Sequence, residues 1–411
     1  MKSWKHRRIK ELGYLRLGKM LTEKPILGFH QRPYLKSKNI DWLKLKIDSV
    51  EQMYFSDFEL KSLRLRKNDL VISEGGEVGK TALWQDEIQE CYIQNSVHKL
   101  TLNKECNPKF YLYFFYFLGH VGYFKSIVNL VSIMHLTYEK LRRIEVPVPP
   151  LEVQQKMVDY LDIKLSEIDT QVSLLTSKRD AYLRLKKSII NHAVTHGLNP
   201  NVKMKDSGIE WIGEVPEHWE VKRMKDIFFE RKELSLTGEE DLLSVSEFYG
   251  VARRKDKMNS DEEFESRADS LVGYKICKAH DLVINIMLAW KTGLGISDND
   301  GIVSPAYAVY EGRNIASHFY HYLLRSGMYV KEFKRHSKGI IDSRLRLYND
   351  RFNNISAIYP PLPEQRAIAT YLDDKCAKID TIVSNLNKQI SRYGDLKRSL
   401  IDEVITGKRA V

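Results

Sequence analysis

The sequence contains one long segment twice. Residues 149–195 return at residues 360–406 with a constant offset of 211 and no gap, and 20 of the 47 aligned positions are identical. The identities include Gln154/Gln365, Asp162/Asp373 and Asp169/Asp380. This period is far longer than that of solenoid or propeller repeats, so each copy is expected to be a domain with an appendage. The chain is therefore predicted to consist of two copies of one unit.

Each copy of the repeated segment is predicted to form a long helix that begins after a pair of prolines. Pro149-Pro150 and Pro360-Pro361 cannot lie inside a helix but can precede one. Beyond them apolar residues recur every seven positions, with a second apolar row three residues earlier, which is typical of a coiled coil. The seam residues are Leu161, Ile168, Leu175, Tyr182 and Ile189 in the first copy, and Leu372, Ile379, Leu386, Tyr393 and Leu400 in the second. The expected partner of each helix is the other one, and some 40 residues predict a rod of about 60 Å.

The stretches outside these helices predict two α+β globular domains. Lys67–Ser73 and Ala279–Asn285 each read as a turn that enters a buried strand, whereas Phe110–Phe124 and His318–Phe333 each read as one amphipathic helix. The predicted organisation is a first domain at 1–146, a central helix at 147–198, a second domain with its lead-in linker at 199–359, and a C-terminal helix at 360–411. The fold class is therefore α+β, with a pseudo-twofold internal repeat and two long antiparallel helices.

Several features predict a soluble protein of the cytoplasm. The longest apolar run, residues 110–118, is about half of what a bilayer span requires. The N-terminus has no apolar region behind its charges, so no secretory signal is expected. Four scattered cysteines, none in a Cys-x-x-Cys pair, support neither a disulfide framework nor a zinc ribbon. No membrane association is predicted.

The formal charge of +11 is unevenly distributed. Residues 1–146 carry a net charge of +9 and residues 207–359 a net charge of −2, although residues 325–351 of the second copy hold eight basic side chains against three acidic ones. Both copies can therefore present a positive face, which attracts phosphate backbones through counterion release. A solubilising surface would have the same composition.

A glycine-rich stretch, residues 74–81, superficially resembles a phosphate-binding loop. That loop requires glycine where this chain has Glu74, and a carboxylate there would repel phosphate. The second copy has only residues 289–293 at this place, so a strand-connecting turn is favoured over a P-loop-like NTPase. Lys80-Thr81 and Lys291-Thr292 stand at matching positions, and both pairs are candidates for contact with DNA.

The sequence predicts neither a metal site nor a catalytic residue. His192 and His196 have the i, i+4 spacing of metal ligands, but no third ligand is nearby and a solvated helix end is favoured. Serine-hydrolase, metalloprotease and dinucleotide-binding motifs are absent from the sequence. Two copies of a basic domain on a helical rod favour a binding protein over an enzyme.

Other DNA-binding candidates lie upstream of each proline pair. His135, Arg142 and Arg143 are predicted to stand near the positions that Arg344 and Arg346 occupy in the second copy. Residues 339–346 are predicted to be extended, with both arginines on one face, and arginine is the commonest reader of guanine. The alternative is a solvated charged strand. Arg253 and Arg254 open a basic loop, residues 253–257, that either contacts phosphates or is simply a surface loop.

The sequence resembles the specificity subunits of type I restriction-modification systems. The resemblance rests on residues 205–221 (KDSGIEWIGEVPEHWEV), and on Pro-Pro-Leu-x-x-Gln and Tyr-Leu-Asp-x-Lys in both copies, and it extends over essentially the whole chain. One departure is that the Ser-Gly-x-x-Trp lead-in to Trp219 has no counterpart before Trp4. The resemblance implies two target-recognition domains that each read one half of a split DNA site, with the helix pair setting the spacing.

The resemblance also implies the partners and the absence of catalysis in this chain. Two modification (methyltransferase) subunits would dock on the helices, and restriction subunits that translocate and cleave would join the full complex with double-stranded DNA. S-adenosylmethionine, ATP and Mg would belong to those partner subunits, with no cofactor in this chain. A helical scaffold protein is the other non-enzymatic alternative, and it predicts weak, salt-insensitive DNA binding.

Overall fold

The computed structural model describes residues 4–128, 135–256 and 270–411. The chain forms two compact units: unit 1 comprises residues 1–176 and 388–411, and unit 2 comprises residues 177–387. The two boundaries, after Thr176 and after Asn387, are 211 residues apart, which is the offset of the sequence repeat. Each unit thus combines one globular domain with parts of both long helices, whereas the predicted domain limits divide the same chain at the helix ends.

Unit 1 contains a globular α+β domain. Its strands are β1 (Lys5–Arg8), β2 (Gly13–Leu17), β3 (His30–Leu35), β4 (Ile40–Asp41), β5 (Lys44–Leu45), β6 (Glu51–Phe55), β7 (Leu70–Ser73), β8 (Thr81–Leu83), β9 (Tyr92–Ile93), β10 (Val97–Leu102) and β11 (Glu145–Val148). Its helices are α1 (Ile9–Leu12), α2 (Asp57–Leu63), α3 (Pro108–His120), α4 (Tyr123–Ile127) and α5 (Tyr138–Arg143), with a 3-10 turn at Ser37–Asn39. The long helix α6 (Leu151–His196) begins in this unit.

Unit 2 repeats this architecture. Its strands are β12 (Met204–Asp206), β13 (Glu214–Pro216), β14 (Glu220–Arg223), β15 (Phe228–Glu230), β16 (Leu243–Ser246), β17 (Gly250–Arg253), β18 (Lys275–Cys277), β19 (Leu282–Asn285), β20 (Leu294–Ile296), β21 (Gly301–Val303), β22 (Tyr307–Gly312) and β23 (Ser356–Tyr359). Its helices are α7 (Ser317–Leu324), α8 (Gly327–His336), α9 (Asn349–Asn353) and the long α10 (Leu362–Ile405), with 3-10 turns at Met224–Asp226, Arg254–Asp256, Ala289–Lys291 and Asp342–Arg344.

The same four-stranded antiparallel sheet lies in each domain. Its order is β2-β10-β7-β8 in unit 1 and β15-β22-β19-β20 in unit 2. A separate two-stranded pair joins the start of each domain to its end, β1 with β11 and β14 with β23, in matching register: Lys5 pairs with Val148, and Glu220 with Tyr359. The predicted α+β class and the internal repeat are confirmed.

The predicted turns before the buried strands are present in both units. Asn68 and His280 both adopt φ of +73°, and every residue of β7 and β19 is buried. The two predicted amphipathic helices, however, are each broken in two. In unit 1 the break falls between α3 and α4 at Gly122, whose φ is +76°, and in unit 2 it falls between α7 and α8 at Arg325-Ser326. In unit 1, positive φ at the glycine ends the helix at little energetic cost although the apolar pattern continues. In unit 2 no glycine is involved, and the helix ends where Ser326 becomes extended, with φ of −67° and ψ of 152°.

The long helices lie antiparallel within each unit. In unit 1, Asp169 of α6 accepts a hydrogen bond from Lys397 of α10 at 2.7 Å, and Tyr160 accepts one from Arg409 at 3.4 Å. In unit 2, Lys186 donates to Asp380 at 2.7 Å. Asp169/Asp380 and Lys186/Lys397 are both related by the offset of 211, so one ion pair is made twice. Exposed pairs contribute only about 0.2–1 kcal/mol each, and their main effect is to fix register.

The predicted seam residues lie on the inner faces of these helices. Leu161, Ile168, Leu372, Ile379, Leu386 and Leu400 are buried, and Leu175, Tyr182, Ile189 and Tyr393 are half-buried. In unit 1 the seam joins the core that also holds the aromatic side chains of α3. In unit 2 the end of α6 and the start of α10 join the core beneath α7 and α8. In each unit, helix residues are therefore continuous with the core of the globular domain.

A buried glutamine fixes the start of each long helix. Gln154 accepts a hydrogen bond from the Asn107 N–H at 2.8 Å and donates to the Pro149 carbonyl at 2.8 Å. Gln365 accepts from the Ala316 N–H at 2.9 Å and donates to the Pro360 carbonyl at 2.7 Å. Asn107 and Ala316 are the residues that precede α3 and α7. Each glutamine thus joins a long helix to the N-terminus of a core helix, α3 in unit 1 and α7 in unit 2.

A tyrosine and an aspartate join the same elements about two helical turns further along. Tyr113 of α3 donates to Asp162 at 2.6 Å, and Tyr322 of α7 donates to Asp373 at 2.7 Å. Both aspartates belong to the repeated Tyr-Leu-Asp sequence, so this identity is explained by docking of helix on domain.

In the described ranges, no helix is both long enough and apolar enough to cross a membrane.

A buried histidine makes unit 1 sensitive to acid. His98 of β10 is fully buried, its Nε2 lies 2.7 Å from the Leu136 carbonyl, and its Nδ1 has no partner among the described residues. Burial lowers the pKa of His98 to about 4. Because the unfolded chain takes up this proton at a higher pH than the folded chain, stability is complete above about pH 6.5 and falls as the pH drops towards 4.

Lowering the pH from 7 to 5 is therefore expected to reduce the free energy of unfolding by about 2 kcal/mol through His98 alone. Urea unfolding of the wild type and of His98→Gln at both pH values measures this. Glutamine can still donate to the Leu136 carbonyl but takes up no proton, so the variant should lose about that much less stability. Equal losses in the two proteins would contradict the assignment.

Candidate nucleic-acid interface

Unit 2 presents a hairpin whose tip is held by its backbone. Strands β16 and β17 pair from Leu243 with Arg253 to Ser246 with Gly250, which leaves residues 247–249 as the turn. Gly250 adopts φ of +83°, and the Ser246 hydroxyl accepts a hydrogen bond from the Phe248 N–H at 3.1 Å. The Phe248 side chain is 91% exposed. The hairpin therefore offers an aromatic ring to solvent from an ordered turn.

Arg325, the residue that follows α7, fixes this tip to the neighbouring turn. Its guanidinium donates to four backbone carbonyls: Thr292 at 2.7 Å, Leu294 at 2.6 Å, Glu247 at 3.0 Å and Phe248 at 3.1 Å. The Thr292 hydroxyl also donates to the Glu247 carbonyl, at 2.7 Å. Burial lowers the pKa of Arg325, and the four carbonyls supply the acceptors that a half-buried cation requires. Arg325 and Thr292 thus hold the hairpin tip against the turn of residues 289–292.

The base of the hairpin is basic. Arg253 lies 3.3 Å from Asp241, Lys255 lies 2.7 Å from the same carboxylate, and Arg254 opens the 3-10 turn between them. One carboxylate therefore lies beside two cations, and the pKa of Asp241 is lowered chiefly by its hydrogen bond to Lys255. Lys257, the last residue of the predicted basic loop, lies outside the described residues. The arrangement suits contact with phosphate.

Lys291 lies on the turn that Arg325 holds. Its side chain is exposed and packs over the Trp290 ring at 4.9 Å, and Lys334 of α8 lies over the same ring at 5.0 Å. Lys334 also pairs with Asp342 at 3.0 Å, so the turn, α8 and the loop after α8 are contiguous. One surface of unit 2, hereafter the reading surface, is formed by the hairpin of residues 243–254, the turn of residues 289–292 and the loop of residues 338–346.

The predicted extended segment of residues 339–346 is instead a closed loop. Lys338 and Arg346 exchange two backbone hydrogen bonds of 2.9 Å, and Asp342–Arg344 is a 3-10 turn. The prediction of extended structure was wrong because the backbone reverses within the loop. Leu345 and Leu347 point into the core, while Arg344 is exposed and Arg346 half-buried. Leucines and arginines therefore alternate between the core side and the outer side only at residues 344–347.

In unit 1 the matching positions have different environments. The Lys80 ammonium is 2.8 Å from Glu77 and 3.2 Å from Asp41, and its pKa is raised, chiefly by the hydrogen bond to Glu77. Thr81 is buried in β8 and donates to the Gly79 carbonyl at 2.9 Å. Contact of this pair with DNA remains a prediction. To bind DNA, the Lys80 ammonium would have to leave a carboxylate, that of Glu77 or Asp41, and pair with a phosphate instead.

The glycine-rich stretch joins two strands rather than a strand and a helix. Residues 74–80 connect β7 to β8, which pair antiparallel from Leu70 with Leu83 to Ile72 with Thr81. Nucleotide-binding loops of this kind lead from a strand into a helix, whose N-terminus helps to bind phosphate. Burial raises the pKa of Glu74 within this turn. The geometry favours the strand-connecting turn over an NTPase site.

The predicted basic cluster of unit 1 is divided between two places. The backbone N–H of Leu136 donates a hydrogen bond to the backbone carbonyl of Glu74 at 2.8 Å. In unit 2 the backbone N–H of Leu347 donates in the same way to the carbonyl of Ile286 at 2.9 Å. This equivalence aligns His135 with Arg346, and His135 lies beside Gly75. Arg142 and Arg143 form the last turn of helix α5, and at the offset of 211 they align with Asn353 and Asn354. Contact of the three residues with DNA stays a prediction.

Arg142 and Arg143 line a basic cleft of unit 1. The cleft has a volume of about 630 Å³ and is lined by Arg8, Lys10, Tyr123, Glu139, Arg142, Arg143 and Glu145. Arg142 lies 3.0 Å and Arg143 3.7 Å from Glu139. Four cations against two carboxylates leave the cleft positively charged, which is suited to a phosphate group.

The His192 and His196 rings are stacked 4.9 Å apart at the end of α6. The His196 ring nitrogen Nδ1 lies 2.6 Å from the Thr195 hydroxyl, and burial lowers the pKa of His196. Within the ranges that the structure describes, no group of three histidine, cysteine, aspartate or glutamate side chains could hold a metal ion.

The helix pair also has a groove in unit 1. Its volume is about 910 Å³, and Tyr160, Lys164, Ser166, Glu167, Ile168, Thr170, Gln171, Tyr393, Leu396, Ser399, Leu400, Glu403 and Arg409 line it. Leu396 is half exposed there, and Ile163 and Leu174 are exposed on α6 in the same unit. The outer helix surface therefore combines apolar and charged groups, as protein interfaces do.

A family model for the type I restriction modification DNA specificity domain matches residues 1–174 and 216–392. The chain belongs to this family. The two matched blocks correspond to the two repeated copies. Among the relatives of this specificity protein is the type I restriction enzyme MjaVIII specificity subunit of Methanocaldococcus jannaschii, 23% identical over 407 residues, which cover 95% of this chain and 88% of that protein. The EcoBI specificity subunit of Escherichia coli is 22% identical, with 83% of this chain and 73% of that protein covered.

Solved structures share the fold of this specificity protein. A chain from a structure on complex assembly and conformational transition of the type I R-M system has a TM-score of 0.69 at 15% identity and 98% coverage of both chains. The HsdS subunit from Thermoanaerobacter tengcongensis has a TM-score of 0.51 at 14% identity, with 99% of this chain and 98% of that one covered. The resemblance identified from the repeated motifs is thus confirmed.

Sequence reasoning missed Arg325 and Phe248. In the sequence, Arg325 is one of the eight basic side chains of residues 325–351. The signal that could identify it is its place between the two apolar halves of residues 318–333, where a cation must be buried with hydrogen-bond partners. Phe248 carries no signal, because a phenylalanine between two short strands reads equally well as core.

Proposed function

We propose that this chain is the DNA-reading subunit of a type I restriction-modification complex, in which the globular domain of each unit reads one half of a bipartite DNA site. The observation that carries the proposal is the repetition of one scaffold with different surfaces. The two sheets, strand pairs and buried glutamines match, whereas the matched lysines Lys80 and Lys291 have different partners. Two such scaffolds suit two readers of unlike sequences.

Phosphate contacts would supply most of the affinity and base contacts the specificity. In unit 2 the candidates for these roles are the arginines and lysines of the reading surface: Arg253, Arg254, Lys291, Arg344 and Arg346. In unit 1 they are His135, the basic cleft of Arg142 and Arg143, and the Lys80 turn. The excess positive charge of residues 1–146 would attract the duplex to that domain over a longer range.

The long helices would set the distance between the two half-sites and dock two modification subunits. Half-sites on one duplex require readers at a fixed separation and rotation, and long paired helices are stiff enough to provide both. The exposed leucines and charged groups of the helix groove are suited to a partner protein. Restriction subunits would join the same complex, and S-adenosylmethionine, ATP and Mg would bind to these partners. This chain would contribute recognition and no catalytic group.

Co-expression of the chain with its modification subunit in a methylation-free host, followed by sequencing of the modified DNA, tests the proposal. The expected result is one methylated site made of two short motifs around a fixed gap. A single continuous motif would overturn the assignment of one half-site to each unit.

Substitution of Lys291 and Arg344 by alanine is expected to weaken binding to the methylated site and to flatten its salt dependence. For each cation that no longer binds a phosphate, the slope of log affinity against log salt should fall by about one. The matched control is Lys232→Ala and Arg313→Ala, two cations of unit 2 that lie beside β15, at the opposite edge of the sheet from β20. An equal effect in the control would mean that net charge, rather than the reading surface, governs binding.

A further inference from the structure

The Phe248 ring lacks a structural role in unit 2. It is 91% exposed at the hairpin tip, whereas the apolar residues of the same hairpin, Leu243, Val245 and Val251, are buried. An exposed phenylalanine loses the hydrophobic stabilisation that its burial would bring. Single exposed apolar residues are common, so exposure alone assigns no function. The backbone beneath this ring supplies the second observation.

That backbone is held more firmly than an exposed turn requires. The carbonyls of Glu247 and Phe248 both accept hydrogen bonds from Arg325, and Glu247 accepts another from Thr292. The hydroxyl oxygens of Tyr249 and Ser244 lie 3.1 Å apart. The half-buried Arg325 thus fixes the backbone of the turn of residues 247–249, although the central side chain of that turn, Phe248, is exposed to solvent. Such an arrangement orders the ring before any partner arrives, which reduces the entropy cost of binding.

Unit 1 shows that the scaffold does not require this arrangement. Its hairpin of β4 and β5 contacts β7 and β8, as the hairpin of β16 and β17 contacts β19 and β20. The aromatic residue at the tip of the unit 1 hairpin is Trp42, which packs against Gly119 of α3 and donates from its indole N–H to Glu77 at 3.1 Å. A Cβ at Gly119 would lie 2.1 Å from that ring, so the site is shaped to receive it. In unit 1 the tip ring stabilises the domain, and in unit 2 it is exposed.

The surroundings of Phe248 favour nucleic acid over an apolar protein partner. Lys291 lies on the turn that Arg325 fixes to the tip, and Arg253 and Lys255 lie at the base of the same hairpin. A ring flanked by cations meets both parts of a nucleotide, the phosphate and the stacked base. Apolar wedges of this kind enter between base steps and unstack them in several DNA-binding proteins.

We propose that Phe248 inserts between two stacked bases of the half-site read by unit 2, with Arg325 and Thr292 as positioning residues. This inference rests on the proposed function. It adds a specificity determinant of a second kind, because a wedge selects base steps that unstack easily, such as pyrimidine–purine steps, without any hydrogen bond to a base edge. It also predicts an asymmetry, since the tip aromatic of unit 1, Trp42, is half-buried against helix α3.

The test uses the full chain in complex with its modification subunit and a duplex that carries the methylated site, with 2-aminopurine placed at each position of the unit 2 half-site in turn. Binding of the wild-type complex is expected to raise the fluorescence where the modification subunit flips out the base that it methylates, and also at a second step, where Phe248 unstacks the bases. Phe248→Ala should abolish the second rise but not the first, and should weaken binding by about tenfold to a hundredfold, as removal of one stacking side chain does. The salt slope should stay unchanged, because no charge is removed.

Two variants keep the experiment decisive. Leu236→Ala removes an equally exposed apolar side chain from another loop of unit 2 and should leave fluorescence and affinity unchanged. Phe248→Leu retains an apolar wedge and should retain part of the second rise. If Phe248→Ala binds and unstacks as the wild type does while the methylated site is bipartite, the wedge is wrong and the proposed function stands. If the methylated site is one continuous motif, the proposed function fails, and the wedge, which needs a half-site, fails with it.

Discussion

Replacement of Gln365 by leucine is expected to lower the free energy of unfolding by about 2–5 kcal/mol, although leucine has nearly the same volume and prefers a buried site. The cost arises from the groups that the amide leaves behind. The Ala316 N–H loses its acceptor and the Pro360 carbonyl loses its donor. Each buried polar group left without a partner costs about 1–3 kcal/mol. Neither group can turn to another partner easily, since both belong to backbone that leads into a helix.

The repeat supplies an internal replicate of this experiment. Gln154→Leu removes the acceptor of the Asn107 N–H and the donors to the Pro149 and Glu105 carbonyls, so a loss of similar size is expected in unit 1. Gln155→Leu is the matched control, because that neighbouring amide is exposed and its loss should stay within about 0.5 kcal/mol. Urea unfolding followed by tryptophan fluorescence measures all three. A change below about 0.5 kcal/mol for Gln365→Leu would mean that these bonds contribute no net stability.

The glutamines show why much of the fold could be predicted from sequence. Identities persist in the repeat where one side chain performs the same task twice, as Gln154 and Gln365, Asp162 and Asp373, and Asp169 and Asp380 do. The heptad spacing also predicts which residues form the inner faces of the helices, because packing of one helix against another requires apolar residues at a regular period in the sequence. The helices and the repeat were therefore predictable, and so was the family.

The reading surface was not predictable for the opposite reason. Counted from the equivalent residues Tyr113 and Tyr322, Arg325 has Tyr116 at its matching position. The exposed Phe248 corresponds to the half-buried Trp42, which packs against Tyr116, so the repeat gives no guidance there. The loop of residues 338–346 closes on itself through backbone hydrogen bonds, which depend on tertiary position rather than on side-chain pattern. A surface that must differ between two readers cannot be inferred by comparing them.

Matched insertion of one heptad into both long helices is expected to widen the gap in the methylated site by about three base pairs. Seven residues lengthen an α-helix by about 10.5 Å, and successive base pairs are about 3.4 Å apart. Insertion after Thr176 and after Asn387 places the new residues at the boundary of the two units, which leaves the contacts within each unit intact. The heptad also preserves the apolar seam, since seven residues return a helix face to within about 20° of its starting direction.

The expected change has a second component that separates a ruler from a flexible tether. Three base pairs turn the distal half-site by about 100° around the duplex, at 10–10.5 base pairs per turn, whereas the heptad turns the helix face far less. A stiff helix pair must therefore twist the DNA, so the longer gap should be methylated more slowly than the wild-type gap is by the wild-type complex. Insertion into α6 alone is the control, because it shifts Lys186 relative to Asp380 and should disrupt pairing in unit 2. If the gap stays unchanged, or if the bases of the half-sites change, the helices are not the element that sets the spacing. If several gap lengths are methylated equally well, the helices act as a flexible tether.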